Sequence, residues 1–169
     1  MTGLLQAFVG GFMNPLLTPA HALTLAALAL CVGQQKKRGA ALIVFALALI
    51  VGFLVIVLAV EETPARLVLL AGAAVLGVMT AAAWTPQSVV CLLAGMAGAA
   101  LALDSPPQAL TIAEAYATLA GTAVGACAIL VGTATIASHA NADWQRLGLR
   151  ILGSWIAASA ILVLAVQLR

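Results

Sequence analysis

Hydrophobic residues fall into long unbroken blocks along the chain, cut by short clusters of proline, charge and amide. A spanning helix takes roughly 20 apolar residues, at about 1.5 Å rise per residue against ~30 Å of hydrocarbon. On that scale the blocks predict six spans, over about 18–33, 40–60, 65–84, 87–103, 110–138 and 151–168. Gln34-Gln35-Lys36-Lys37-Arg38 closes the first and Glu61-Glu62-Thr63-Pro64 the second. Thr85-Pro86 joins the third to the fourth, which stops at Asp104-Ser105-Pro106-Pro107. The polar stretch 139–150 is expected to connect the fifth to the sixth. Residues 2–14 are apolar but too short to span alone. Asn14-Pro15 and Thr18-Pro19 are expected to break the chain there, leaving an interfacial or re-entrant segment ahead of the first span. A β-barrel would need alternating segments of about ten residues, and no such alternation occurs. The expected fold is an all-α integral membrane protein, one domain over 1–169 formed by a bundle of six transmembrane helices.

Composition fits that pattern. Hydrophobic residues make up 64% of the chain and charged residues 7%, where a soluble domain carries about 25% charged. Too little charge is left to solvate a globule, which excludes a soluble enzyme, a nucleic-acid binder and a disordered chain. The expected surroundings are a lipid bilayer. Cys31, Cys91 and Cys127 sit inside apolar runs without a pairwise motif and read as small packing residues. Met1-Thr2-Gly3 lacks a basic leader region, so the first apolar segment is expected to continue as membrane helix.

The placement of the basic residues then gives an orientation, because Lys and Arg are retained on the cytoplasmic side during insertion. Lys36, Lys37, Arg38, Arg146 and Arg150 lie in the first and fifth connections, on one side of a six-span bundle. Arg66 and Arg169 lie on the other. Both termini are therefore expected to face outward, toward the periplasm if the membrane is a bacterial inner membrane. Removing one span would separate the two basic connections.

Polar groups within or beside a span each need a reason. Asn14 and His21 fall toward the outer end of the first span, Asp104 follows the fourth and Glu114 opens the fifth. All four are expected at similar depth, where an imidazole, two carboxylates and an amide would suit a divalent cation of borderline hardness. Solvation of Asp104 and Glu114 at the interface is the plainer account of the two acids. Glu114, Thr118, Thr122 and Gly125 share one helical face, expected to point into the bundle. Gly121 and Gly125 form a GxxxG pair, read as packing between helices of the chain. No catalytic constellation or phosphate-binding glycine loop occurs, so enzymatic activity is not expected.

The stretch Gly11-Phe12-Met13-Asn14-Pro15-Leu16-Leu17-Thr18-Pro19-Ala20-His21-Ala22-Leu23 resembles the signature of HupE/UreJ proteins, approximately G-F-x-H-P-L-x-G-x-D-H-L-L. Residues 93–104, Leu93 through Gly95 and Gly98 to Asp104, resemble that family's second motif, a His-Gly-x-x-His run ending in an acid. Arg150-Ile151-Leu152-Gly153 with Ile156-Ala157 is similar to its R-x-x-G-x-x-I-A ending. Asn14 stands where the family carries His and Ala20 where it carries Asp, while Ala97, Ala99 and Leu101 occupy the histidine positions of the second motif. The resemblance implies a six-span bacterial membrane protein that acts as a nickel permease or a nickel-delivery accessory. It implies His21 as the retained ligand of the first motif, with Ni²⁺ or a related divalent cation as substrate and no resident cofactor. Loss of the other histidines motivates a rival expectation, a structural or accessory subunit packed against a larger membrane complex or against a second copy. A pore for a small neutral molecule, lined by the hydroxyls of the fifth span, is the third.

Overall fold

The computed structural model describes residues 2–57, 64–107 and 111–168. Among them the chain forms seven helices and no strand: α1 (Thr2–Leu17), α2 (Pro19–Gly33), α3 (Arg38–Val57), α4 (Ala65–Ala81), α5 (Gln87–Leu103), α6 (Ile112–Ser138) and α7 (Asp143–Gln167). Every predicted span coincides with a helix. Three of them, α3, α6 and α7, are long and apolar enough to cross a membrane, and the bent α1–α2 pair adds a fourth if taken as one span. The helices α4 and α5 are apolar but shorter, at 17 residues each. The expected end of the second span at Glu61-Glu62-Thr63-Pro64 lies mostly outside the described residues, as do Leu110 and Arg169.

Three boundaries differ from expectation, each for a local reason. Pro15 does not break the first segment but sits inside α1. Its ring removes the N–H that would bond the Gly11 carbonyl four residues back, and the Thr122 hydroxyl of α6 donates to that oxygen instead, at 3.2 Å. The break comes at Thr18, whose extended backbone precedes Pro19, as a residue before proline is biased to be. The chain turns there by 70°. At the other end, α7 starts at Asp143, so all but the first four residues of the polar stretch 139–150 are helix rather than loop. Gln145 explains it: its Oε1 accepts from the backbone N–H of both Asn141 and Ala142 at 3.0 Å, occupying donors that a helix start leaves orphaned. The helix α4 stops three residues short of the predicted span. Ala83, at φ 55°, takes the left-handed position of a Schellman turn, closed by Trp84 N–H to Met79 O and Ala83 N–H to Thr80 O.

The helix α2 is the axis of the bundle, and every other helix touches it. From Leu25 to Gly33 nearly all of its side chains are buried. Around it α1 lies along α6, α3 along α5 and α4 along α7. The core mixes alanines such as Ala27, Ala29, Ala94, Ala97, Ala126 and Ala134 with large side chains such as Leu25, Leu28, Phe45, Leu69, Leu76 and Leu101, all buried. Large aliphatic side chains such as Ile43, Leu47, Ile50 and Leu54 of α3 face outward. Alanines at the contacts let the helix backbones approach closely, as packing between helices in lipid favours. Polar links reinforce the seam between α2 and α4. The Thr24 hydroxyl reaches the Leu69 carbonyl at 2.9 Å, and Cys31 Sγ lies 3.3 Å from the Leu76 carbonyl and 3.0 Å from Thr80 Oγ1.

A candidate polar site at the head of α2

His21 lies one turn into α2 and is fully buried. Its Nε2 is 3.0 Å from Oδ2 of Asp104, 83 residues away at the C-terminal cap of α5. An ionised carboxylate can only accept, so Nε2 carries the proton and donates. In the neutral ring Nδ1 is then a lone pair, and this atom is buried without a hydrogen-bond partner. Arg66, in the first turn of α4, donates from Nε to the same Oδ2 at 3.4 Å from a half-exposed position.

A carboxylate at a helix C-terminus faces the negative end of the helix dipole, so Asp104 needs compensation. Burial raises its pKa, but the hydrogen bond from His21 and the positive charge of Arg66 outweigh burial and hold the carboxyl below its ordinary value. The group is therefore ionised at neutral pH.

Asn14 belongs to the same locality through the neighbouring residue. Its Nδ2 donates to Ser105 Oγ at 3.3 Å and its Oδ1 accepts from Thr18 Oγ1 at 3.2 Å. Ser105 passes its own proton to the Leu101 carbonyl at 2.8 Å. Two ties thus fasten the α1–α2 bend to consecutive residues at the end of α5: Asn14 to Ser105, and His21 to Asp104.

Glu114 does not join them. It sits in the first turn of α6, and its Oε1 lies against Gly3, where an added Cβ would come within 2.8 Å. Phe8 meets Gly121 and Phe12 meets Gly125 further along, so α1 and α6 run parallel and both present their N-termini to this carboxylate. That is a favourable place for a negative charge and accounts for Glu114 without a ligand. Among the described residues no group of three or more His, Cys, Asp and Glu side chains could hold a metal ion. The predicted four-residue cluster is thereby corrected to three residues, with Glu114 apart, because α6 begins beside the start of α1 and not beside the bend.

The hydroxyl stripe of the fifth span does face inward, but α1 covers it. Thr118 bonds the Glu114 carbonyl at 2.9 Å, and Thr122 the carbonyls of Thr118 and Gly11. A pore along that face is not what these groups form. Sequence reasoning missed Arg66, Ser105 and Thr18 as members of the site. Arg66 carried a signal, as the cation expected on the same side as Asp104, but it was read only for orientation. Comparison with protein-family models, with curated proteins and with solved structures finds no match.

Proposed function

We propose that the chain is a six-span, non-catalytic membrane protein of HupE/UreJ type that handles a divalent cation, nickel or a chemically similar ion, as its substrate. The observation that carries the reading is the His21–Asp104 hydrogen bond. It joins the retained histidine of the first motif to the acid that ends the second, as a site shared by the two segments would. Metal-ligating histidines commonly donate one ring N–H to a carboxylate, which leaves the other nitrogen free to coordinate. His21 has that arrangement, with Nδ1 as the ligand atom, and Asp104 then orients the ring rather than binding the ion. Asn14 holds the bend that positions α2.

The six-span count is supported by the coincidence of spans with helices and by the outward-facing aliphatic side chains. An inner-membrane location with periplasmic termini is supported by the sorting of charge. Lys36, Arg38, Arg146 and Arg150 gather at one end of the bundle, while Arg66 and Asp104 stand at the other end of α4 and α5. Trp84 and Trp144, both outward-facing, accompany the basic end, as interfacial aromatics do.

Uptake of radiolabelled nickel into cells expressing the wild type, His21→Ala or Asp104→Asn tests the reading against empty vector. The wild type is expected to exceed vector, His21→Ala to fall to vector level, and Asp104→Asn to lose about 10- to 100-fold in apparent affinity. Wild-type uptake equal to vector overturns it.

A second reading, an accessory subunit of a larger membrane assembly, is favoured by Arg66. Its guanidinium engages the same carboxylate oxygen as His21, which makes the trio a neutralised internal tie. Purification in a gentle detergent separates the two. Constant co-elution with a partner chain or second copy, without bound metal, supports the accessory role.

A further inference from the structure

At the end of α2 opposite His21, the α2–α3 connection, the end of α4 and the α6–α7 connection close around a cavity of about 350 Å³. Lys36, Arg38, Arg146 and Arg150 line it, and no carboxylate does. Among the described residues none of these four cations takes part in an ion pair. Three helices, α2, α4 and α6, end here, and their negative ends attract basic side chains. That accounts for two of the four: Arg38 Nε donates to the Gln35 carbonyl at 3.3 Å and Arg150 Nε to the Ala81 carbonyl at 2.8 Å. It does not engage Lys36 or Arg146, both exposed at the same cavity. It also leaves two lining residues, Gln34, whose Nε2 is buried without an acceptor, and Gln35, whose Oε1 is buried without a donor. Buried donors in folded proteins are rarely left unpaired.

Four cations with no carboxylate among them make one concavity electropositive, a setting that favours an anion. Guanidinium groups match the several oxygens of a phosphate better than the two of a carboxylate, and basic pockets between helices at the cytoplasmic face suit phosphorylated headgroups. We infer that this cavity is a phosphate-binding site, taking either the headgroup of an anionic lipid or a free phosphate anion. Arg38 and Arg150, anchored by backbone carbonyls, form its fixed wall, while Lys36, Arg146 and the Gln34 amide supply the remaining donors. The site is independent of His21 and of any metal handled there.

Binding is measured by calorimetry on the full chain in a neutral detergent, titrated in one arm with inorganic phosphate and in the other with short-chain phosphatidylglycerol. Phosphatidylcholine of the same chain length is the reference. Saturation in either arm above that reference is expected, and the arm that saturates identifies the source. Arg146→Gln and Lys36→Gln are expected to weaken binding about tenfold each. Lys37→Gln removes the same charge one residue outside the lining and is expected to change affinity less than about twofold. Absence of binding in both arms overturns the inference. So does an equal loss in Lys36→Gln and Lys37→Gln, which would mean a diffuse surface field and no built site.

Discussion

Thr122 shares its hydroxyl proton between the Thr118 carbonyl and the Gly11 carbonyl, the oxygen that Pro15 leaves without its helical partner. The bond lets a proline stand inside α1 and joins α1 to α6 at a buried point. Thr122→Val keeps the shape and removes the donor, leaving that carbonyl unpaired at a cost of about 1–3 kcal/mol. Thr135→Val is the control, because its hydroxyl only back-bonds to Val131 on an exposed face of the same helix. Thermal unfolding in detergent is expected to show a clear drop for the first and little change for the second.

The same seam makes a sharper steric prediction. A Cβ at Gly121 would collide with the Phe8 carbonyl oxygen, whereas at Gly132, on the same helix, it would meet nothing within 4 Å. Gly121→Ala must push α1 away from α6 and is expected to destabilise by about 1–3 kcal/mol, as overpacking does. Gly132→Ala is expected to be neutral or to stabilise by up to ~1 kcal/mol, through helix propensity alone. Equal melting temperatures for the two variants would refute the close parallel packing of α1 on α6.

How much of this was legible in the sequence follows from what each signal reports. Helix positions were legible, because hydrophobicity over some twenty residues is a local quantity. The meeting of Asn14, His21 and Asp104 was legible too, since helices that alternate in direction put those ends on one side. Glu114 failed the same test. Side is not proximity, and which helix end lies beside which depends on packing that six hydrophobic blocks do not encode. Pro15 was read as a break because its compensating donor, Thr122, lies 107 residues away. The start of α7 at Asp143 was concealed by its polar composition, although Gln145, three residues past Ala142, was the available signal.

Ala83 offers a test of the turn that ends α4. An L-residue in the left-handed region costs about 1–2 kcal/mol, and Ala83 holds φ 55° in an exposed position. Glycine takes that conformation freely but loses about 0.4–1 kcal/mol through the greater entropy of its unfolded chain. Ala83→Gly is therefore expected to stabilise by a net ~0.5–1 kcal/mol, raising the melting temperature by about 1–4 °C. A lowered melting temperature would mean that the turn is not held left-handed.

Asp104 predicts how stability depends on acid. Its carboxyl is buried, which raises its pKa, yet His21 and Arg66 together hold it below the ordinary value, which is about 3.9 for an unperturbed Asp. Between the folded and unfolded values the unfolded chain binds more protons, so stability rises with pH across that interval. The contribution of this group is complete above the unfolded value and is lost as pH falls through the folded one. Asp104→Asn cannot ionise, so the difference in melting temperature between wild type and variant isolates the group from Glu114 and Asp143, which both proteins share. That difference is expected to be largest near neutrality and to shrink below about pH 4. Arg66→Gln removes one of the two groups that lower the pKa, so it should shrink the loss and end it at a higher pH, with the onset unchanged. A gap that widens in acid would mean that the carboxyl is protonated in the folded protein. In that case it could not fix the His21 ring with Nε2 as donor and Nδ1 as the free lone pair.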